Sequence, residues 1–305
     1  MMIPTELVNL KTLMARTRGR PDLKIGLIDG PVLTHHPDLA TEHQQEIDGS
    51  HAASFPVATC TRANSTACLH GTFIAGILAA RRDSAAPAIC PDCTVLVRPV
   101  FSETSVGRDH MPSATPEELA AAVLDCVNAG ARIINLSLAL AQPSIKGERA
   151  LDEAFNQALS RGVLVAAAAG NQGTLGSSAI TRHPWVIPVV ACDESGRPVH
   201  ESNLGGTIGT RGLSAPGDAV TSLGTNGEMV TLGGTSVAVP FVTGAIALLW
   251  SEFPKATAGQ IKLAVTQAIL PRRASVVPPL LDAEWARHTL AAETARRQPT
   301  LNNIG

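Results

Sequence analysis

Short apolar runs alternate with helical patterns along most of the chain. This alternation predicts a parallel sheet whose strands are joined by crossover helices. The runs that we expect to form strands are 24–28, 94–100, 132–138, 163–168 and 185–191. Their apolar residues are mostly continuous, as expected for strands that are buried on both faces. The pattern therefore predicts an α/β fold with a mostly parallel central sheet and helices on both faces.

One crossover helix carries start and stop signals that can be read from the sequence. Thr115 has the character of an N-cap, Pro116 suits the first helical position, and Glu118 follows the cap by three residues. Gly130 supplies the stop signal. These residues predict a helix over 116–129.

No repeat, low-complexity tract or long linker divides the 305 residues, so we expect one large domain. We place this domain at 24–297, after an N-terminal extension at 1–23 and before a polar tail at 298–305. Helical patterns near 257–270 and 282–296 form its last part.

Composition narrows the classes of partner. The chain is 45% hydrophobic, which suffices for a large core, and its formal net charge is −2. This charge gives no electrostatic reason to expect nucleic acid or an anionic membrane as a partner. The N-terminus lacks the uninterrupted apolar core of a signal peptide, and no later run is as continuously apolar as a membrane span. We expect a cytoplasmic protein, and its oligomeric state is left open.

The six cysteines are at 60, 68, 90, 93, 126 and 192. Cys126 and Cys192 lie in apolar runs, and we expect them to be buried thiols. The remaining four could form a zinc site or one or two disulfides. The spacing between Cys60 and Cys68 is wide for a structural zinc site, so we expect free or occasionally bridged thiols.

Two motifs in the first quarter of the chain carry ionisable side chains. Asp29 follows the first strand directly in IGLIDGPV, at the strand end where sites form in α/β sheets. The alternative role for Asp29 is that of a turn former before Gly30. His70 opens HGTFIAGILAA, where a helix N-terminus would favour the neutral imidazole that can act as a base. The alternative role for His70 is structural.

The third motif, GGTSVAVPFVTG, places Ser236 at the start of an apolar helix, among the free N–H donors of the helix terminus. We expect Pro240 to be tolerated, because N–H groups in the first turn have no intrahelical acceptor. Taken alone, this serine would be a helix cap. An acid, a base and a hydroxyl in the order Asp, His, Ser match one of the known arrangements of a catalytic triad.

These motifs resemble the aspartate, histidine and serine motifs of the subtilisin-like serine proteases, the subtilases. VAAAAGNQGTLGSS is similar to the segment that carries the family's oxyanion-hole asparagine, here Asn171. The four matches follow one another in order from about residue 24 to 252. The resemblance implies a subtilisin-like three-layer fold and a serine endopeptidase. It also implies that Asp29, His70 and Ser236 form the triad, and that Asn171 and the Ser236 N–H hold the oxyanion.

INLSLALAQPS resembles the family's substrate-binding strand, in which a Ser-Leu-Gly-Gly run is common. In the family this strand pairs with the extended substrate backbone by strand addition. The residues that the resemblance assigns to substrate binding are Ser137, Leu138, Ala139, Leu140, Ala168, Ala169 and Gly170. Leu140 replaces a glycine and would narrow the subsites, so we expect restricted specificity. The alternative is that Leu140 turns toward the core.

The chain departs from the family pattern at Gly30, where many members have serine or threonine. Asp38 matches a calcium ligand of the family, but the loop after the histidine motif is short and offers Asp83 as its carboxylate. That is too few oxygen donors for a site of six or more ligands. We therefore assign no metal and no cofactor.

DGPV, PDCTVLVRPVFSE and AGARIINLS also resemble the leader-processing subtilases of cyanobactin-type peptide biosynthesis. The resemblance implies a peptide or protein substrate, and a precursor peptide as one form of it. Transpeptidation is an alternative, but the family members that perform it carry an inserted helical cap for which this sequence has no room. A further alternative is an inactive, peptide-binding subtilase scaffold, although such a scaffold has no physical need for a complete triad and Asn171.

Overall fold

The computed structural model describes residues 3–39, 41–47, 58–103, 114–138, 147–267 and 275–297. The predicted polar tail at 298–305 lies outside the described residues. Within them, seven strands form one parallel sheet in the order β2-β3-β1-β4-β5-β6-β7, and β8 and β9 form an antiparallel hairpin. This parallel sheet confirms the predicted fold class.

The strands are β1 (Lys24–Asp29), β2 (Gln44–Glu46), β3 (Thr94–Pro99), β4 (Ile133–Leu136), β5 (Leu164–Ala168), β6 (Val186–Cys192), β7 (Leu213–Pro216), β8 (Val220–Leu223) and β9 (Met229–Leu232). The five predicted strands are β1, β3, β4, β5 and β6, which confirms those predictions. The sequence pattern did not reveal β2, which is short and polar, or β7, β8 and β9. Their serine and threonine residues interrupt the apolar runs on which the prediction depended.

The helices of the described residues are α1 (Pro4–Leu7), α2 (Leu10–Arg16), α3 (Thr66–Ala79), α4 (Pro116–Asn128), α5 (Glu148–Ser160), α6 (Ala179–Arg182), α7 (Gly206–Arg211), α8 (Thr235–Glu252), α9 (Ala258–Thr266) and α10 (Ala283–Arg297). The predicted capping box of α4 is present, since Thr115 and Glu118 bond each other's backbone N–H. One face of the sheet packs against α3 and α8, and the other packs against α4 and α5.

The central helix α8 is buried almost completely from Val237 to Trp250. It packs across β4, β5, β6 and β7. By length and composition α8 could cross a membrane, but 83% of that apolar window is buried inside the protein. Its apolarity is therefore accounted for by its position in the core.

A buried chain of polar side chains joins α8 to β4. Pro240 is the sixth residue of α8, so its missing N–H would have bonded the Ser236 carbonyl. The Ser137 hydroxyl supplies a donor to that carbonyl at 3.2 Å. Asn135 Nδ2 donates to Ser137 Oγ at 2.6 Å, and the Thr243 hydroxyl donates to Asn135 Oδ1 at 2.9 Å. Pro240 lies beyond the first turn, so the reason expected for its tolerance does not apply, and the Ser137 hydroxyl supplies the missing donor instead.

The N-terminal segment is held to the loop after α3 by the guanidinium of Arg82. Its Nε donates to the Ala88 carbonyl at 3.1 Å, and its Nη2 donates to the Thr17 carbonyl at 3.0 Å and the Ile89 carbonyl at 2.8 Å. Its Nη1 donates to the Met14 carbonyl. One side-chain cation thus satisfies backbone carbonyls from two distant segments.

We predict that Thr243→Val destabilises the fold. The substitution keeps the side-chain shape but removes the donor to Asn135 Oδ1, and an unsatisfied buried acceptor costs about 1–3 kcal/mol. Urea unfolding should show a free energy of unfolding lowered by that amount. The matched control is Thr289→Val, which removes an exposed hydroxyl bonded to the Trp285 carbonyl and should cost less than about 0.5 kcal/mol. Equal losses in both variants would contradict a special role for the buried chain.

Candidate active site

Asp29 is the last residue of β1, and its side chain is fully buried. Its Oδ1 accepts hydrogen bonds from the Gly30 N–H at 2.6 Å and from His70 Nδ1 at 2.7 Å. Within the described residues, Oδ2 is buried without a hydrogen-bond partner. The carboxylate is therefore directed toward the imidazole through a single oxygen.

A close backbone contact between the turn after β1 and α3 brings Asp29 and His70 together. A Cβ atom at Gly30 would lie 2.0 Å from the Ala67 carbonyl oxygen, and one at Gly71 would lie 2.4 Å from the carbonyl oxygens of Gly30 and Pro31. Neither position has room for a side chain. The family's common serine or threonine could not fit at Gly30, which explains this departure from the family pattern.

His70 lies on the second turn of α3, since the helix begins at Thr66 with Ser65 as its N-cap. The prediction that His70 opens the helix was therefore wrong by one turn. Its Nε2 lies 3.0 Å from Ser236 Oγ. Burial lowers the pKa of His70, but the charge and the hydrogen bond of Asp29 raise it, and the net result is a raised pKa. The carboxylate, rather than a helix terminus, therefore sets the direction in which the pKa of His70 shifts.

Asn171 is held next to Ser236 by Thr235. Its Oδ1 accepts from the Thr235 N–H at 2.8 Å and from the Thr235 hydroxyl at 2.9 Å, and that hydroxyl accepts from the Gly170 N–H at 3.2 Å. Nδ2 lies 3.0 Å from the position of a Cβ at Gly234. Both hydrogen bonds that the described residues make with this side chain use Oδ1. Among the described residues Nδ2 is therefore a free donor, and it lies beside Gly234, two residues before Ser236.

Five of the seven residues assigned to substrate binding lie at the carboxyl ends of β4 and β5. They are Ser137, Leu138, Ala168, Ala169 and Gly170. The hydroxyl of Ser137 is used to bond the Ser236 carbonyl, so this residue supports α8. Ala139 and Leu140 lie outside the described residues. The effect of Leu140 on the subsites therefore stays a prediction.

Cys60 and Cys68 form a disulfide with a Cα–Cα distance of 5.6 Å. Of the free and bridged states left open for this pair, the structure shows the bridged one, because the first turn of α3 brings Cys68 back to the preceding loop. Within the described residues, the one group of side chains close enough to share a metal ion is Cys60, Cys68 and Glu103. Both sulfur atoms of this group are consumed by the disulfide. The group therefore does not fit a thiolate metal site.

The other four cysteines are buried free thiols. This confirms the prediction for Cys126 and Cys192, and burial raises the pKa of each of these two thiols to about 12. Such thiols are poor nucleophiles at neutral pH. Cys90 and Cys93 hydrogen-bond each other, which raises the pKa of Cys90 and lowers that of Cys93.

The arrangement meets the geometric requirements of an activated hydroxyl nucleophile. The imidazole of His70 contacts the carboxylate through one nitrogen and the Ser236 hydroxyl through the other.

Sequence reasoning did not assign roles to Thr235 or Asn135. A threonine directly before the serine was visible in the GGTS motif, but its bond to Asn171 depends on the folded loop.

The fold is similar to that of several peptide-processing enzymes of known structure. A mutant of the protease domain of PatA is 28% identical, with a TM-score of 0.79, over 90% of this chain and 97% of that one. Prenylagaramide maturation protease PagA is 28% identical, with a TM-score of 0.78, and the match covers 92% of this chain and 98% of PagA. The PatG macrocyclase domain is 21% identical, with a TM-score of 0.78, and the match covers 93% of this chain and 96% of that domain. At this identity the likeness shows a shared fold alone.

Similarity in sequence extends to bacterial proteases. The thermostable alkaline protease of Halalkalibacterium halodurans is 33% identical over 199 residues, which cover 65% of this chain and 51% of that protein. Subtilisin E of Bacillus subtilis is 29% identical over 246 residues, 79% of this chain and 58% of that protein. The chain thus spans about half to three-fifths of the length of these relatives. A model of the subtilase family matches residues 20–302, and this chain therefore belongs to the subtilase family.

Proposed function

We propose that this chain is a serine endopeptidase that hydrolyses peptide bonds through an acyl-enzyme on Ser236. The observation that carries the proposal is the position of the His70 imidazole. Its Nδ1 lies 2.7 Å from Asp29 Oδ1 and its Nε2 lies 3.0 Å from Ser236 Oγ. An inactive scaffold would have no need to hold these three side chains in one hydrogen-bonded line.

In the proposed reaction, neutral His70 takes the proton of the Ser236 hydroxyl as Oγ attacks the peptide carbonyl. The buried carboxylate of Asp29 stabilises the imidazolium that forms. The proton then passes to the leaving amine, the C–N bond breaks, and the acyl group remains on Oγ. Water attacks the ester with the same assistance from His70, which releases the acid product and restores the serine.

The negative oxygen of the tetrahedral intermediate needs donors that are already in place. In the proposed site these are Asn171 Nδ2 and the backbone N–H of Ser236. The two bonds from Thr235 to Asn171 Oδ1 fix the amide so that Nδ2 faces the reacting carbonyl. Thr235 is thus a positioning residue, since it acts through Asn171.

We further propose that the substrate is a peptide precursor cleaved at few positions. The neighbours at 28% identity include a protein named prenylagaramide maturation protease PagA, and the alignment with it covers nearly the full length of both chains. This supports peptide maturation over general digestion. Hydrolysis is favoured over transpeptidation, because the neighbour named PatG macrocyclase is only 21% identical and shares the fold alone.

We predict that activity is lost as the pH is lowered. The midpoint of this loss should lie above about 6.5, the pKa of an unperturbed imidazole. Asp29 raises the pKa of His70, and only the neutral imidazole can accept the serine proton, so kcat/KM should decline as pH falls through that raised pKa. NMR titration of His70 in Ser236→Ala should give the pKa directly. In Asp29→Asn, burial alone remains and the pKa should drop below its ordinary value. An unchanged pKa in Asp29→Asn would contradict this account of His70.

We predict that Asn171→Ala lowers kcat at least a hundredfold while KM changes little. Loss of one oxyanion donor removes about 3 kcal/mol of transition-state stabilisation, a magnitude established on a subtilisin. Thr235→Val should lower kcat about tenfold, because the amide loses one of its two anchors. Thr235→Ser keeps the hydroxyl and should retain activity close to that of the unmodified protein. A loss below tenfold in Asn171→Ala would rule out the oxyanion role.

We predict that a diverse peptide library is cut at a small set of related sites, read by mass spectrometry. Ser236→Ala is the control and should give no cuts, because it lacks the attacking hydroxyl. Unfolded casein should be cleaved at few positions. Cleavage of casein at many unrelated sites would contradict restricted specificity while leaving the protease mechanism intact.

A further inference from the structure

A small cavity lies between the loop and first turn of α3 on one side and the β8–β9 hairpin on the other. Its volume is about 190 Å³. Leu69, the neighbour of His70 in the chain, lines one side, and Val230 of β9 lines the other. The cavity is below the range of roughly 300–1,000 Å³ that is typical of small-molecule sites, so its size suits a single side chain.

The position of the cavity relates it to the part of a substrate that follows the scissile bond. In the proposed reaction His70, on α3, delivers a proton to the leaving amine. The departing chain therefore begins at the imidazole, and Leu69 of the cavity wall directly precedes His70 in α3. This step rests on the proposed function.

The walls of the cavity are held in place by covalent and hydrogen bonds. The Cys60–Cys68 disulfide closes the loop that forms one wall, and Ser65 caps α3 by accepting from the Cys68 N–H at 3.4 Å. The Thr225 hydroxyl of the hairpin donates to the Ala63 carbonyl of that loop. Since the two walls are joined, the cavity is preformed, and binding there does not require either segment to be ordered first.

The lining has the chemistry of a site for a long cationic side chain. All residues that line the cavity belong to the described part of the chain, and among them Glu228 is the only charged residue. Its side chain is exposed and makes no ion pair with the described residues. Leu69 and Val230 offer aliphatic surface. Lysine and arginine combine an apolar stem with a charged end, and this lining complements both parts.

We propose that this cavity binds a lysine or arginine side chain of the substrate within the first three residues after the scissile bond. Glu228 is the specificity-determining residue. An extended peptide advances roughly 3.3 Å per residue, so three residues reach about 10 Å beyond the reacting carbon. The proposal makes the leaving-side sequence, as well as the acyl side, a determinant of where the enzyme cuts.

The test uses peptides that share one acyl side and carry lysine, alanine or glutamate at each of the first three positions after the cut. A p-nitroanilide with the same acyl side has no residues after the cut, so it reports only the acyl side and the triad. The variants are Glu228→Gln and Glu228→Lys. The matched control is Glu194→Lys, which places the same change on an exposed glutamate in the loop after β6.

At one of the three positions, kcat/KM should favour lysine over glutamate by about three- to tenfold in the unmodified protein. Glu228→Gln should bring this ratio close to one, Glu228→Lys should invert it, and Glu194→Lys should leave it unchanged. Hydrolysis of the anilide should stay within twofold in all variants. A protein that hydrolyses the anilide but shows no preference for lysine after the cut, or keeps that preference in the Glu228 variants, would overturn this inference and leave the proposed function intact. A folded protein that cleaves neither the anilide nor any peptide would overturn the proposed function and this inference with it.

Discussion

The close backbone contact between Gly30 and α3 is the constraint on which the site depends. Asp29 and His70 are 41 residues apart in sequence, and their side chains meet only because the turn after β1 packs directly on the helix backbone. Any Cβ at Gly30 or Gly71 would push the two segments apart. The absence of a hydroxyl residue at Gly30 follows from this contact.

The position of the serine depends on a different set of contacts. Burial of α8 across the sheet fixes the helix axis, and the polar chain from Thr243 through Asn135 to Ser137 fixes its first turns on β4. The chain also replaces the hydrogen bond that Pro240 cannot make. A helix packed only through apolar contacts could shift or rotate, whereas these directional bonds hold Ser236 within reach of the imidazole.

The fold class, five strands and the three motifs could be predicted because continuous apolar runs and the motif order are local properties of the sequence. The Cys60–Cys68 disulfide could not, since it depends on where α3 begins, and the helix start was placed one turn late. The need for Ser137 at the Pro240 gap was also hidden, because it arises between residues about a hundred positions apart. Contacts of this kind become visible only when strand order and helix position are known.

The central claim is that the Asp29–His70–Ser236 line makes the serine a reactive nucleophile. Reaction with a fluorophosphonate probe, read by peptide mass spectrometry, tests this most directly, because the probe requires an activated hydroxyl and no knowledge of the substrate. The account predicts a single adduct on Ser236, none in Ser236→Ala, and labelling at least a hundredfold slower in His70→Ala. A folded protein that remains unlabelled, or equal labelling in Ser236→Ala, would contradict it.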